Sequence, residues 1–457
     1  MGRYVGLLGI GAFMALAWAL SHKRSAIHWR TVAWGLGLQW IFAVVVLKGT
    51  ALSTLLGFIP FPPGTGWLVL ALMFLPAVLR RFAAFESRPL NWSLFAVIVL
   101  GLLRGNLVGS TFDRMRVVVQ HLMDYAHAGA SFVFGSLSDG PGGKVGMVFA
   151  FAVLPTIIFV ASIFAVLYYL GVMQWVVGAA ARAMGRFLKV SGAESVNVAA
   201  SILMGQTEAP LTIRPFLARM TRSELMVVMT AGMAHVSGSI MVAYVQVAHV
   251  DIVHLLTAVI MTAPGAVMMA KILEPETEIP ETSGEVKVDI PNHDANVLDA
   301  AARGAFEGGQ LAFNVAVMLI AFIALIFLIN GLMQAIHPGF SLEWVLGWVF
   351  KVPAFLMGVP WSEAGQVGGL LGKRMVVNEF VAFLDLGQMT TLSAKAKLIS
   401  TFALCGFANF SSIAIQVGGI GALAPERRGD LARLGVRAML AGTLANFLSA
   451  CIAGILS

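Results

Sequence analysis

The chain has 457 residues, 58% of them hydrophobic and only 12% charged, with a mean hydropathy of +0.86. Soluble domains are about a quarter charged, so a soluble enzyme is excluded, as is a single anchor on a soluble body, for which no long polar stretch remains. A net charge of +7 would favour nucleic acid in a soluble protein; here the basic residues sit in short connectors, so the expected partner is the lipid bilayer and no nucleic acid.

The first apolar run, residues 5–20, precedes its basic cluster of Lys23, Arg24 and Arg30. A signal peptide has the reverse order, so this run is read as a retained span. Residues 31–47 form a second run. A Pro- and Gly-rich turn region follows at 58–66, then two shorter runs at 67–79 and 94–103, with Arg80, Arg81 and Arg88 between them. Residues 106–137 interleave Asp113, Arg114, Arg116, His121 and Asp124 with apolar residues, the pattern of an amphipathic segment on the membrane surface or between domains. Residues 146–172 are a strong span, and Arg182, Arg186 and Lys189 follow on a small amphipathic helix.

Placing the first basic cluster in the cytoplasm puts four more on the same side by alternate crossings: Arg80 to Arg88, Arg182 to Lys189, Arg219 with Arg222, and Arg427 to Arg433. Both termini are then outside. Lys395 and Lys397 are the exception. Residues 271–295 carry Glu274, Glu276, Glu278, Glu281 and Glu285 and read as a solvated cytoplasmic connector. Cys405 and Cys451 lie in apolar helices, which argues against a disulfide framework or a zinc site.

Two segments depart from plain apolar character. Residues 195–216 hold Gly205, Gln206, Thr207, Glu208, Ala209 and Pro210 at the middle of a membrane-length stretch. Glycine and proline open the helix, and open backbone at membrane depth must be buried in protein or line a wet cavity. A re-entrant hairpin with its tip at 206–208 meets that condition. The next span, 225–247, is interrupted at His235 to Ser239. Residues 359–386 repeat the plan around Asn378, Glu379 and Phe380, and the span after them, 399–420, is interrupted at 406–412. Glu208 precedes Ser237 by 29 positions, and Glu379 precedes Asn409 by 30. By the charge count the two hairpins enter from opposite sides, which makes the repeats inverted. Paired discontinuous segments of this kind point to a transporter site near the midplane. A buried acid costs about 2.5–3.5 kcal/mol at a helix centre and usually marks a substrate or ion path; the alternative is pairing to a lysine or to the amides of a broken helix.

The stretches Gly205 to Leu211, Val377 to Phe383 and Ala403 to Ile413, with Gly358 to Trp361 and Gln310 to Val315, resemble the concentrative nucleoside transporter family in order along most of the chain. The resemblance implies an all-α polytopic membrane protein with inverted repeats, two re-entrant hairpins and discontinuous helices, working as an elevator-type homotrimer. It divides the chain into scaffold spans at 1–170, with an inserted helical pair near 50–106, a first transport repeat at 171–275, a polar loop at 276–300, a scaffold and trimer helix at 301–340 and a second transport repeat at 341–457. Carried over by motif, Gln206, Thr207 and Glu208 face the nucleobase. Glu379, Asn409 and Ser412 hold the ribose hydroxyls, and Ile240, Leu311 and Phe407 supply apolar contact. A carboxylate can accept from adjacent hydroxyls, while Asn and Ser give and take hydrogen bonds.

Sodium-coupled members of the family place Asn four residues before the hairpin glycine and Ser or Thr in the following break. Here these positions are Ser201 and His235, with the carbonyls of Met204 and Val236 still available. Histidine titrates near neutral pH and serves proton relays, so the expectation is proton-driven import of nucleosides across a bacterial inner membrane, with sodium coupling as the alternative. His235 as a neutral residue bonded to a backbone carbonyl, and Ser201 as a small packing residue, are the structural alternatives. No cofactor beyond a coupling cation is expected. An intramembrane enzyme is disfavoured by the lack of a His-Glu-x-x-His motif or a serine elbow, and a channel by the lack of carbonyl or charge rings.

Overall fold

The computed structural model describes residues 2–55, 106–139, 146, 148–282 and 294–457. The expected runs at 67–79 and 94–103, their arginines, most of the inserted pair and Glu285 lie outside the described residues. Among those described the chain is entirely helical, and six helices are long and apolar enough to cross a membrane.

Helices α1 (Gly2–Ala19) and α2 (Trp29–Leu47) are followed by a short α3 (Gly49–Leu55) and by α4 (Leu107–Phe134), the amphipathic segment. Helix α5 (Phe149–Tyr169) leads through Gly171, at φ +78°, into α6 (Val172–Leu188). Met173, Val177, Ala181, Met184 and Leu188 form the buried stripe of α6; this i, i+4 spacing is that of a helix lying on a surface.

The first hairpin has two unlike limbs. Helix α7 (Gly192–Ser201) opens with a capping box between Ser191 and Glu194. The return limb is a 3₁₀ segment, Ala209–Arg219, in which Pro210 and Pro215 withhold backbone donors. Helix α8 (Arg222–Ala234) opens with a second capping box, Thr221 with Glu224. The two boxes are joined, since the Ser191 hydroxyl donates to Glu224 at 2.6 Å. The limbs therefore start and finish at one level, which is what makes the hairpin re-entrant. After a break at 235–237 the span resumes as α9 (Gly238–Ala248), and α10 (Ile252–Leu273) follows, capped by Asp251.

Helix α11 (Val297–Ile336) is 40 residues long and mostly exposed. Its buried edge carries Gly304 and Gly308, where a Cβ would stand 2.5 Å from the Ala165 Cβ and 2.7 Å from the Ala161 Cβ. Small residues four apart let two membrane helices meet backbone to backbone, and α11 is thereby seated on α5. Helix α12 (Leu342–Leu356) precedes the second hairpin, made of α13 (Ala364–Val376) and α14 (Glu379–Gln388). Glu363, at its start, accepts from the backbone N–H and hydroxyl of Ser393 at 2.9 and 2.8 Å. Ser393 also caps α15 (Ala394–Leu404), so the second hairpin is closed at its base much as the first is. A break at 405–409 leads to α16 (Phe410–Leu423), and α17 (Arg428–Leu456) runs through the core.

The connector after α10 differs from its expected solvated character. Glu274 is buried, with carboxylate contacts to Arg222 at 3.0 Å and Arg437 at 3.5 Å. Glu276 meets Lys271 at 3.2 Å. These acids pin the chain to the base of the first hairpin because the buried Glu274 carboxylate requires counter-charge. Helix α11, Val297–Ile336, is offset by four residues at each end from the expected 301–340.

Candidate functional site

The two breaks meet. The N–H of Phe407 donates to the His235 carbonyl at 3.2 Å, and the N–H of Gly238 donates to Leu203, at the hairpin tip, at 3.1 Å. Each broken helix leaves carbonyls with no partner of their own, and two side chains from elsewhere satisfy them. Asn446, on α17, donates to the carbonyls of Ala234 and Cys405, both at 2.9 Å. Arg374, at the end of α13, donates to Ala403 at 2.9 Å and Gly406 at 3.2 Å, and also to the Asn446 side-chain oxygen. Both residues are buried. A cation at the C-terminal end of α15 also matches the sign of that helix's dipole.

Glu379 occupies the first turn of α14, whose N-cap is Asn378, accepting from the N–H of Val381 at 2.9 Å. It is 4% exposed. Tyr244, on α9, donates to one carboxylate oxygen at 2.9 Å, and Asn409 donates to the other at 3.3 Å. The Tyr244 ring is itself stacked on Phe383, with centroids 4.4 Å apart. Asn409 is the N-cap of α16, and its Oδ1 accepts from the N–H of Ser412 at 2.9 Å and the Ser411 hydroxyl at 2.7 Å. The Ser412 hydroxyl accepts from Gln206 at 3.2 Å, and Gln206 accepts from Gln416 at the same distance.

One hydrogen-bonded chain thus runs from Tyr244 through Glu379, Asn409 and Ser412 to Gln206 and Gln416. It joins the first hairpin's tip, the second hairpin's turn and both broken helices. Four expected residues, Gln206, Glu379, Asn409 and Ser412, are brought together directly. Thr207 packs its methyl group toward Gly419, where a Cβ would stand 2.6 Å away. Ile240 is buried, and Phe407 and Leu311 are partly buried against the core, Leu311 on α11.

Glu208 is reached by solvent at the tip yet enclosed by neighbouring elements, within electrostatic range of Tyr168 on α5 and of Arg303 and Glu307 on α11. Its carboxylate folds back onto the N–H of Gly205 at 3.1 Å, because the tip turn offers an amide within its own hairpin. The coupling-ion positions are packed. The Ser201 hydroxyl donates to the Asn197 carbonyl at 2.8 Å, and Met204 is partly buried at the tip. Val236 and His235 are buried in the first break. The His235 Nδ1 stands 2.7 Å from the Ala231 carbonyl. A carbonyl only accepts, so Nδ1 carries the proton; the ring also lies near the Val259 carbonyl, and Nε2 closes no hydrogen bond of normal geometry among the described residues.

Sequence reasoning passed over Tyr244, Arg374, Gln416 and Asn446. A faint signal existed, since each is a polar side chain within a largely apolar stretch, a position usually functional or paired. No group of three or more metal-ligating side chains occurs among the described residues.

The chain matches the families described as Na+ dependent nucleoside transporter N-terminus over residues 8–60, nucleoside recognition over 150–250 and Na+ dependent nucleoside transporter C-terminus over 254–454. It is 42% identical over 460 residues to the uncharacterized transporter YutK of Bacillus subtilis, covering 98% of both chains. It is 36% identical to sodium/nucleoside cotransporter 1 of Rattus norvegicus, covering 99% of this chain and 64% of the rat protein. Among solved structures it is similar to CNTnw in an inward-facing, substrate-bound state, with a TM-score of 0.82, 38% identity and coverage of 99% and 98%. It is also similar to a doubly substituted CNTnw in an outward-facing state, with a TM-score of 0.81, 37% identity and coverage of 100% and 98%. These relatives are transporters, not enzymes, and the interlocked hairpins and broken helices described above are the parts such a transporter needs. The chain belongs to the concentrative nucleoside transporter family.

Proposed function

We propose that this protein imports nucleosides across a bacterial inner membrane by proton symport, as a homotrimer whose hairpins travel in an elevator motion. The observation that carries the substrate reading is the Glu379 carboxylate. Each of its oxygens accepts one protein hydrogen bond, from Tyr244 or Asn409, and keeps lone pairs that adjacent ribose hydroxyls can use. Asn409 and Ser412 complete the sugar side, and Gln206, Thr207 and Glu208 face the base. Ile240, Leu311 and Phe407 give the ring its apolar surroundings. A site built on hydroxyl bonds rejects analogues lacking them. Glu379→Gln should abolish uridine uptake while leaving the folded protein intact by gel filtration. Unchanged uptake would remove the ribose assignment.

The proton reading rests on His235, which places an imidazole where sodium-coupled members of the family place a hydroxyl. Hard cations take oxygen ligands, whereas a ring nitrogen with a spare lone pair takes a proton. Glu208, at the tip of the hairpin motif, and Glu379 are the other proton carriers. Sodium remains the second reading, favoured by the family's Na+-dependent description and by carbonyls at Met204 and Val236. Uridine uptake into proteoliposomes under separate proton and sodium gradients decides between them.

The trimer reading is supported by α11. Phe306, Phe313, Ile320 and Phe327 are 68–82% exposed and recur every seven residues. A seven-residue apolar repeat forms a seam for a neighbouring helix.

A further inference from the structure

Apart from the carboxylate site, a cavity of about 1610 Å³ opens at the base of the first hairpin. Small-molecule pockets are usually about 300–1,000 Å³. Three elements wall it: the start of α2, with His28 and Arg30; the outer face of α6, with Arg182, Arg186 and the adjoining Lys189; and the hairpin base. Five Lys or Arg side chains line it against two carboxylates, Glu194 and Glu276. Lys271 meets both carboxylates, at 2.6 and 3.2 Å, so the inner end of the cavity is internally compensated. The outer cations, Arg30, Arg182, Arg186 and Lys189, are exposed. Among the described residues none of the four forms an ion pair; the pairs on the cavity wall are those of Lys271.

Two further features give the cavity a location. Trp175, on its wall, is 72% exposed, and Trp29, beside Arg30, is 61% exposed. Exposed tryptophans are typical of the membrane–water interface. Helix α6 is an amphipathic helix with one buried stripe, the kind that lies in the interface plane with cations on its polar face. Arg182 and Arg186 are four residues apart and so share one face. Thr31 donates to the Leu188 carbonyl at 3.1 Å, and Trp34 packs at a tilt against Phe187, ring centroids 4.9 Å apart, which hold α2 and α6 together around the opening.

We propose that this cavity binds the phosphate of an anionic phospholipid headgroup, with Arg30 on one wall and Arg182 and Arg186 on the other. Guanidinium groups match phosphate oxygens with paired hydrogen bonds, and basic pockets between helices on the cytoplasmic side suit such headgroups. Free phosphate has the same chemistry; the flanking tryptophans and the interfacial helix favour the lipid. The bound headgroup would tie α2 to the element that leads into the first hairpin.

The test is lipid retention by the full-length protein, which involves no nucleoside and so stands or falls apart from the transport reading. Protein equilibrated with equal phosphatidylglycerol and phosphatidylcholine is analysed by native mass spectrometry. Phosphatidylglycerol should be retained selectively. R182Q/R186Q should weaken it about twenty-five-fold, taking roughly fivefold for each cation near the surface, with phosphatidylcholine unchanged. Should that variant misfold, Arg30→Gln alone should show roughly the fivefold loss. Equal retention of the two lipids, or undiminished phosphatidylglycerol in these variants, overturns the proposal. Inorganic phosphate is added as competitor: displacement only at large excess supports the lipid, and displacement at equal concentration overturns it in favour of a free anion.

Discussion

Asn446 is where the packing of the breaks can be tested most directly. Its side chain donates to the Ala234 and Cys405 carbonyls and accepts from Arg374, and it is fully buried. Asn446→Ala leaves two carbonyls and one guanidinium N–H without their partner. Buried polar groups left unsatisfied cost about 1–3 kcal/mol each, so the loss should reach at least ~3 kcal/mol. Polar contacts between membrane helices average only ~0.6 kcal/mol when measured by double-mutant cycles, which would give ~2 kcal/mol for three. The larger figure applies here because the groups are enclosed by α8, α15 and α17, where neither lipid nor water supplies a substitute. Reversible unfolding in mixed micelles of detergent and dodecyl sulfate measures the difference. Asn446→Asp keeps the Arg374 contact but loses both donors and should fall between wild type and alanine. A loss below ~1 kcal/mol for alanine would refute the reasoning, as would an aspartate variant no more stable than alanine.

Three other outcomes follow from the geometry. Tyr244→Phe keeps the ring stack on Phe383 but removes a hydrogen bond to Glu379, worth about 1.5–3 kcal/mol when the acceptor is charged; uridine binding by calorimetry should weaken roughly ten- to a hundredfold. Gly406→Ala would put a Cβ 2.6 Å from the Asn446 Oδ1 and 2.7 Å from the Ala234 carbonyl oxygen, so overpacking should cost about 1–3 kcal/mol in the same unfolding assay. Asp251 joins α4 to the start of α10: burial raises its pKa, but Arg116, at 2.7 Å, outweighs that and holds it below 3.8. A depressed carboxylate stabilises above its unfolded pKa, so wild type and Asp251→Asn should differ in thermal stability at neutral pH and converge as pH falls below 3.8.

Much of this arrangement was legible in the residues, for identifiable reasons. The breaks, read at His235 to Ser239 and at 406–412, announce themselves because glycine and small polar residues at membrane depth have few other uses. Glu379 was legible because a carboxylate in an apolar stretch must be answered. What answers it was not: Tyr244 lies 135 positions away and looks like any aromatic in a span. Arg374 and Asn446 were hidden for the same reason, since a lone donor does not name the carbonyl it will meet. Glu208 was legible as an acid at the tip, but the amide it turns to was not. Its setting resembles that of Glu379, but a local amide was within reach, and no spacing rule distinguishes a carboxylate turned back on its own turn from one turned inward. Glu274 and Glu276 were misread because a run of acids suggests solvent, whereas Arg222, Arg437 and Lys271 wait for two of them.

The bond from Phe407 to His235, with Asn446 holding carbonyls of both breaks, has a mechanical consequence. The two halves of the chain descend from one pattern but do not behave as two levers. Their unwound segments are riveted to each other and to α17, so neither hairpin can tilt without carrying the opposite half along. In the proposed elevator motion these bonds favour carriage of the block as a single piston, with flexibility at its borders with α5, α11 and α12.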